Sequence, residues 1–412
     1  MNPQGLQTSE AVEPTGPLGL TSESFVDHYA RAWFWGEGGG NGGRSGALDA
    51  YKKLFRDGDS APMSRVEPAF AVPGIKTVLQ EPCDEGELTK FTQAVRGMTV
   101  GSGRTFEELS TESVLIPMVG KSGRPTFTLC VSSQIGCAMG CTFCETAQMG
   151  LIRSLTPGEI VGQWFAATHL LGKRPSNIVF MGMGEPMDNL DAVLGAVAVL
   201  KDHNGVSLPI SKITISTVGR VDGIARLGEK LHEPGWHRLN LALSLNAPND
   251  EVRSSIMPVN RRWNMATLRE SLLGFPIYGG GKLCVEYVLI PGVNDTRAHA
   301  GEVADFLAPI NEHYRKSKGS ADGAGGAAGS PRVMLNLIPY NPRRHSPWPA
   351  PSEESVEAFM AWLMERGIFV KRRRTKGRDL MGACGQLGSQ EIRGRKLVHV
   401  GVSAPNRQIP ES

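Results

Sequence analysis

Six short apolar runs, rich in β-branched residues, alternate with stretches of helical spacing along most of the chain. The runs are FTLCVS, SNIVFMG, KITIST, LNLALSLN, LCVEYVLIP and VMLNLIP. Alternation of this kind indicates an α/β fold in which right-handed helical crossovers join parallel strands. Because six units are fewer than the eight of a closed barrel, we expect an open, partial (β/α)6 barrel, with a doubly wound sheet as the alternative. In both folds the ligand site lies at the carboxyl ends of the strands.

Three of the intervening stretches carry the signals that begin and end helices. In the first, Thr156 is the expected N-cap and a capping box follows it. The second is expected to start at Asp188 and to stop at an Asn-Gly pair, and the third runs from Ser352 to Gly367. Apolar residues recur at helical spacing within each stretch, so each helix should pack one face against the sheet.

The composition is that of a globular protein with reduced thiols. Apolar residues make up 40 % of the 412 residues, and no apolar run approaches the ~18 residues of a membrane-spanning helix. The first residues lack the basic start and apolar core of a secretory signal. Seven cysteines, an odd number of which four lie within fifteen residues, are unlike a secreted disulfide framework, so we expect a cytoplasmic protein. Nothing in the sequence indicates an obligate partner subunit, so we expect a monomer. A net charge of +3 neither demands nor excludes a nucleic-acid partner.

Two segments rich in glycine and small residues, 36–46 and 318–331, are not expected to join a packed core. The second segment connects a helix to a strand. It should therefore lie on the face opposite to the ligand site, where an insertion leaves the chemistry alone.

Three cysteines form a C-x3-C-x2-C motif directly after the strand FTLCVS: Cys137, Cys141 and Cys144. Thiolates at this density bind either zinc or an iron–sulfur cluster. A structural zinc site needs a fourth ligand, whereas Cys83 and Cys284 are isolated in the sequence. Three cysteines on a four-iron cluster leave one iron open, as catalysis requires. The alternative is that these are buried structural thiols.

The motif, with an aromatic residue before its last cysteine, resembles the signature of radical SAM enzymes. Six other motifs, in order, resemble the branch that methylates RNA adenines: MGMGEPMDN, ITISTVG, LALSLNAPNDEVR, VEYVLIPGVND, LIPYNP and ACGQL. The resemblance runs from about Glu112 to Leu387. It implies methylation at C2 of adenine in 23S rRNA and tRNA, or at C8 as in the related antibiotic-resistance enzymes. It also implies one [4Fe-4S] cluster, two S-adenosylmethionine molecules per turnover, and an electron donor such as flavodoxin or ferredoxin.

The resemblance assigns roles to three further residues. Cys384 would take a methyl group from one S-adenosylmethionine, and a radical from a second would activate that S-methyl group for addition to the adenine ring. Glu112 would accept the ring proton. Cys130 would then attack the sulfur of Cys384 and release the methylated base through a transient disulfide. Without the resemblance, Glu112 would be interpreted as a surface residue and Cys384 as a small buried one.

The same resemblance implies a pocket for S-adenosylmethionine at the carboxyl ends of the strands. The Gly-Glu-Pro of MGMGEP contacts the methionine amino group in the family, which implicates Gly184 and Glu185. The other contacts carried over by motif are Ser216, Ser244, Leu245, Asn246 and Asn341. Ordinary turn chemistry of serine and asparagine is the alternative interpretation at these strand ends.

The expected organisation has four regions. They are an accessory region with a glycine-rich insert that is a candidate for RNA binding (1–75), a β-rich connection carrying Glu112 (76–122), the radical SAM core (123–378) and the Cys384 loop with its tail (379–412). RNA phosphates are expected to contact the basic run VKRRRTKGR at 370–378, and PRRHSPW at 342–348 is a second candidate.

Two residues depart from the pattern of the resembled branch. Glu145 follows the last cluster cysteine where relatives commonly have a small residue, and Asn246 stands in place of a histidine. Two other classes of function are kept as alternatives. One is a radical SAM enzyme that uses S-adenosylmethionine only as a radical source, which would need neither Cys130 nor Cys384. The other is a non-enzymatic iron–sulfur or zinc protein that binds RNA.

Overall fold

The computed structural model describes residues 16–34, 43–100, 104–120, 123, 125–278, 283–316, 333–373, 382–383 and 385–388. The glycine-rich segment 318–331 lies outside these residues, as do 36–42 of the first such segment. Residues 44–46 of that first segment begin a helix, and Arg44 and Ser45 are exposed there.

Two amino-terminal helices, α1 (Ser22–Phe34) and α2 (Arg44–Lys52), pack against each other. The rings of Phe25 and Tyr51 meet edge to face with centroids 5.3 Å apart. The start of α1 is also joined to the core, because the backbone N–H of Ser22 donates to Oδ2 of Asp202 over 2.6 Å.

Three antiparallel strands lead from these helices into the main sheet: β1 (Ile75–Cys83), β2 (Gly86–Val100) and β3 (Arg104–Val119). β3 then pairs antiparallel with the first strand of the parallel part. The remaining strands are β4 (Pro125–Cys130), β5 (Gln134–Gly136), β6 (Leu151–Ser154), β7 (Asn177–Phe180), β8 (Ile213–Thr217), β9 (Asn240–Ser244), β10 (Leu283–Leu289), β11 (Val333–Pro339) and β12 (Val370–Arg372).

The ten-stranded sheet has the order β1-β2-β3-β4-β7-β8-β9-β10-β11-β12, and β5 and β6 form a separate ribbon. From β4 onwards the order follows the chain and all pairings are parallel. A doubly wound sheet would reverse its order at a switch point. The open, partial barrel of an α/β fold is therefore confirmed.

Helices connect the parallel strands on the outside of the barrel. They are α3 (Pro157–Phe165), α4 (Leu190–Lys201), α5 (Val221–Leu231), α6 (Asp250–Ile256), α7 (Met265–Leu273), α8 (Arg297–Lys316) and α9 (Glu353–Glu365). The capping box at Thr156 is confirmed: its Oγ1 accepts the Glu159 N–H over 3.2 Å, and Oε2 of Glu159 accepts the Thr156 N–H over 2.9 Å. Ser352 caps α9 as predicted. Asp188 is not the cap of α4, because a 3-10 turn over Pro186–Asn189 precedes that helix.

Side chains along each parallel strand alternate between the core under the outer helices and the lumen of the barrel. On β10, Val285 and Tyr287 are fully buried, and the Tyr287 ring stacks on Phe359 of α9 with centroids 5.4 Å apart. Burial of each such side chain stabilises the fold by roughly 1.5–3 kcal/mol. Their neighbours Cys284 and Glu286 line a cavity inside the barrel. The pleat of the strands thus builds an apolar core outside and a partly polar lumen inside.

Candidate active site

The three thiols of the C-x3-C-x2-C motif line one cavity at the carboxyl end of the barrel: Cys137, Cys141 and Cys144. Their loop leaves the β5–β6 ribbon at Gly136, which has a φ of 75°. A Cβ at this position would lie 1.8 Å from the carbonyl oxygen of Gly150. Only glycine fits there, so the course of the loop depends on it.

The electrostatics of these thiols favour a cationic group that takes thiolate ligands. Burial raises the pKa of all three, and the charge of a neighbouring cysteine raises the pKa of Cys137 and Cys141 further. Iron in a [4Fe-4S] cluster holds its cysteines as thiolates and relieves this repulsion. Among the described residues, no three His, Cys, Asp or Glu side chains converge closely enough to hold one metal ion. The thiols and the cavity they share fit the predicted cluster.

Glu185 is a buried carboxylate in the wall of the same cavity. Its Oε1 accepts the Met187 N–H over 3.1 Å and its Oε2 accepts the Val218 N–H over 2.9 Å. Burial raises the pKa of this carboxyl. The preceding Gly184 has a φ of 101°, and a Cβ there would lie 2.5 Å from Cβ of Gln134. A buried carboxylate held in this way suits an ammonium group, such as the amino group of S-adenosylmethionine.

Ser216, Ser244 and Asn246, which the resemblance assigns to S-adenosylmethionine, line this cavity, whereas Leu245 packs in the hydrophobic core. Asn246 has a φ of 57°, a conformation that asparagine tolerates better than most residues. Its Oδ1 accepts the Val288 N–H over 2.9 Å. Its side-chain amide N–H is directed at Met257 Sδ over 3.6 Å.

A buried arginine, Arg253 on α6, holds the cavity wall and was not predicted from the sequence. It donates to the carbonyl oxygens of Val218 over 2.5 Å, Leu245 over 3.1 Å and Ser244 over 3.3 Å. Burial lowers its pKa to about 10, and its charge opposes the rise in the pKa of Cys141. An arginine on a short helix after LSLNAPN gives no sign of burial, because only the tertiary fold supplies its acceptors.

Cys130 and Asn341 line a second, larger cavity of about 600 Å³ in the barrel lumen. The two cavities share wall residues, among them Met181, Glu286 and Ile338. Asn341 is 4 % exposed, and its Oδ1 has no hydrogen-bond partner among the described residues. Asn341 therefore offers a buried acceptor to a ligand, but it lines the lumen cavity and not the thiol-lined cavity.

Glu112 is buried, so the interpretation as a surface residue is wrong. It is 2 % exposed, and Nζ of Lys90 lies 2.9 Å from its Oε2. The same oxygen accepts the N–H of Gly388 over 3.1 Å. Lys90 lies on β2 opposite Val114, two residues from Glu112 on β3, so the ion pair is a diagonal pair across neighbouring strands.

Cys384 lies outside the described residues, but its neighbours on both sides are described. The N–H of Glu145 donates to the carbonyl oxygen of Gly385 over 2.7 Å, and Oγ1 of Thr146 donates to that of Leu387. Together with the bond from Gly388 to Glu112, these contacts hold the Cys384 loop between the cysteine loop and the predicted proton acceptor. None of the described cysteines is in a disulfide.

Glu145, the residue that departs from the resembled pattern, is buried at the meeting point of three loops. It is 3 % exposed, its Oε2 accepts the Arg344 N–H over 3.2 Å, and its own N–H binds Gly385. The carboxylate thus joins the cysteine loop, the Cys384 loop and the segment after β11.

The two basic segments are partly engaged within the protein. Nη2 of Arg372 lies 2.7 Å from Oε2 of Glu353, and Nε of Arg343 donates to the carbonyl oxygen of Thr142 over 2.8 Å. Arg343 therefore supports the cysteine loop. Residues 374–378 of the first segment lie outside the described residues.

Comparison with known proteins decides the family. A model described as the Radical SAM superfamily matches residues 131–306. A protein of Protochlamydia amoebophila named as a probable dual-specificity RNA methyltransferase RlmN 1 is 36 % identical over 390 residues, which are 93 % of this chain and 97 % of that protein. The chain belongs to the RlmN family. A dual-specificity RNA methyltransferase RlmN of Lawsonia intracellularis is 41 % identical over 307 residues, which are 73 % of this chain and 78 % of the relative.

A solved structure supports the RlmN assignment at the level of the fold. The crystal structure of a radical SAM methyltransferase from Sphaerobacter thermophilus matches with a TM-score of 0.70 and 32 % identity, over 90 % of this chain and 98 % of that chain. As an RlmN-family member the chain is an S-adenosylmethionine-dependent enzyme, and the radical SAM domain implies a [4Fe-4S] cluster. Within the described part of the chain, no helix has the length and apolar character needed to cross a membrane.

Proposed function

We propose that this enzyme methylates C2 of an adenine in ribosomal RNA, transfer RNA or both, through an S-methylcysteine at Cys384. The names of the RlmN relatives support an RNA substrate with dual specificity. The observation that carries the proposal is the place of the Cys384 loop. Its described residues hydrogen-bond both to the cysteine loop, at Glu145, and to Glu112.

C2 of adenine is an electron-poor ring carbon and a weak nucleophile, so it cannot displace a methyl group from a sulfonium by itself. When bound, the cluster and S-adenosylmethionine supply the methyl group and the one-electron chemistry that this carbon requires. The protein supplies a tether: a carbon unit carried on Cys384 is held beside the base, which lowers the entropic cost of their reaction.

Two side chains would complete the transfer. Glu112 lies next to the Cys384 loop and is the proposed acceptor of the ring proton, for which a carboxylate within hydrogen-bond reach is required. Cys130 at the end of β4 lines the lumen cavity together with Ala383, the residue before Cys384. It is the proposed thiol that attacks the sulfur of Cys384 and frees the product, which leaves the two cysteines as a disulfide for a reductant to open.

The other partners follow from the same proposal. A low-potential protein such as flavodoxin or ferredoxin would deliver electrons to the cluster, and two S-adenosylmethionine molecules would be used per turnover. The enzyme would work as a monomer in the cytoplasm. The alternative of C8 methylation uses the same tether and differs only in how the base is presented.

The test is a Cys384→Ala variant, assayed with reconstituted cluster and an adenine-containing RNA fragment. We expect the variant to make no methyladenine by mass spectrometry, while the wild type makes 2-methyladenine. Cys83→Ala, the same exchange on β1, serves as the control and should retain activity. Methylation by the Cys384→Ala variant would refute the proposed intermediate. Formation of 8-methyladenine by the wild type would move the assignment to C8, and deoxyadenosine without any methylated base would favour a radical SAM enzyme of another class.

A further inference from the structure

The cavity in the barrel lumen is lined by the inward side chains of successive parallel strands. Its polar lining includes Thr128, Thr214, Asn240, Cys284, Glu286 and Asn336. Cys130, the thiol proposed to attack the sulfur of Cys384, belongs to the same wall. At about 600 Å³, the cavity has the size of pockets that enclose small ligands.

Glu286 lines both the lumen cavity and the thiol-lined cavity, and Arg373 is the other ionisable residue that the two described cavities share. It is 4 % exposed. Its Oε1 accepts the side-chain N–H of Asn336 over 3.0 Å and the Cys284 thiol over 3.3 Å. Its Oε2 has no hydrogen-bond partner among the described residues. A buried polar atom without a hydrogen-bond partner is energetically unfavourable, so Oε2 is expected to have a partner in the working complex.

The partner of Oε2 has to be a hydrogen-bond donor, because a carboxylate oxygen only accepts. The side chains of Asn336 and Cys284 are directed at Oε1, and they fix the plane of the carboxylate. No described donor is bonded to Oε2, although Lys371 and Arg373 line the same cavity. A ligand that enters the cavity can supply this donor.

The charges around the cavity suit a nucleotide. Lys371 on the edge strand β12 and Arg373, the residue after that strand, line the cavity at the open side of the barrel, where they can contact a phosphate. A base that enters from this side would bring its edge towards Oε2 of Glu286 on β10. Enzymes that modify a base take it out of its stack into such a pocket and read its edge by hydrogen bonds.

We infer that Oε2 of Glu286 accepts a hydrogen bond from the 6-amino group of the target adenine, and that Glu286 is the residue that selects adenine over other purines. The inference rests on the proposed function, because it requires an RNA adenine as the substrate. Guanine and hypoxanthine present a carbonyl oxygen in place of this amino group, and that oxygen would face the carboxylate without a proton between them. Sites built around such a hydrogen bond discriminate by about 10⁴–10⁵ against ligands that lack the donor.

The test compares Glu286→Gln with the wild type on RNA fragments that carry adenosine, purine riboside or inosine at the modified position. We expect the wild type to methylate the two analogues at least about 10²-fold less efficiently than adenosine, as judged by kcat/KM. Glu286→Gln should lose about 10²-fold on adenosine and should discriminate less than about tenfold among the three bases. Glu270→Gln, the same exchange on the exposed face of α7, is the matched control and should behave as wild type.

Both the target base and S-adenosylmethionine carry an adenine amino group, and the KM for S-adenosylmethionine shows which of the two Glu286 binds. If Glu286 reads the substrate base, this KM stays within about twofold in the variant. A large rise in this KM with unchanged base selectivity would show that the carboxylate serves S-adenosylmethionine instead, and would overturn the inference. Equal efficiency of the wild type on adenosine and purine riboside would overturn it as well, whether or not the variant folds.

Two further measurements distinguish a change in base preference from damage to the fold or the cluster. Glu286→Asp, which retains the carboxylate, should keep the preference for adenosine. A complement of four irons and a wild-type circular dichroism spectrum establish that each variant is intact. If the wild type itself fails to methylate adenosine in RNA, the proposed function fails, independently of Glu286.

Discussion

Replacing Lys90 by methionine should lower the free energy of unfolding by about 3–5 kcal/mol, because it leaves the buried Glu112 without its cation. Nζ and Oε2 are 2.9 Å apart, and the two side chains are 6 % and 3 % exposed. At an effective dielectric constant near 20, unit charges at this distance attract by about 6 kcal/mol. Desolvation of both groups offsets most of this attraction in the intact pair, but the loss of one partner exposes the cost of burying the other.

The assay is urea unfolding of the protein without its cluster, followed by circular dichroism at neutral pH. A lower midpoint at unchanged slope is expected for Lys90→Met. The double variant Lys90→Met/Glu112→Gln should recover to within about 1 kcal/mol of the wild type, since neutral residues can replace a buried pair without large cost. Lys52→Met serves as the control, because Lys52 and Asp49 form a solvent-exposed pair at 3.8 Å and should contribute at most about 1 kcal/mol.

A loss below about 1 kcal/mol in Lys90→Met, or a double variant as unstable as the single one, would refute the reasoning. The first result would mean that Glu112 finds another cation or remains solvated. The second would mean that Lys90 acts through packing of its alkyl chain and not through its charge.

Two more predictions follow from buried groups. Arg253→Met should lose at least about 3 kcal/mol of stability in the same urea assay, because charged hydrogen bonds contribute roughly 1.5–3 kcal/mol each. Arg253→Lys should lose less. Equal stability of the wild type and both variants would contradict this prediction. Burial lowers the pKa of His169, whose Nε2 lies 3.1 Å from the carbonyl oxygen of Phe55. The unfolded state therefore takes up the proton first, and stability is lost as pH falls below about 6.5. The fall in Tm between pH 7.5 and 5.5 should be smaller in His169→Asn than in the wild type. His203→Asn, a change at an exposed site, is the control and should behave as wild type. An equal fall in all three proteins would show that protonation of His169 does not cause the loss of stability.

The features that the sequence predicted correctly depend on short-range patterns. Strand and helix alternation determines the order of the barrel, and the capping box at Thr156 lies within four residues. The three thiols lie on one loop, so their spacing alone brings them to one cavity. The exception is Asp188, where the 3-10 turn over Pro186–Asn189 moves the N-cap of the helix by one residue, to Asn189.

The features that the sequence did not predict depend on partners that are distant along the chain. Lys90 appears as an ordinary charged residue on a strand until β3 places Glu112 beside it. Arg253 is buried because its side chain binds carbonyl oxygens at the ends of β8 and β9. Glu286 becomes notable only because its Oε2 has no hydrogen-bond partner within the described part of the chain. Such residues cannot be found from local propensity, since their surroundings are created by the fold.

The Cys384 loop is attached to the site through main-chain atoms: the carbonyl oxygens of Gly385 and Leu387 and the N–H of Gly388. A peptide group is chemically the same whichever side chain it carries, proline's missing N–H aside. A change at Ala383, which lines the lumen cavity, would therefore leave these three bonds in place. Gly385, with a φ of 80°, and Leu387, which packs in the core, are less open to substitution. Redirecting the enzyme to a new base would begin at Ala383 and keep Glu112 and Thr146 unchanged.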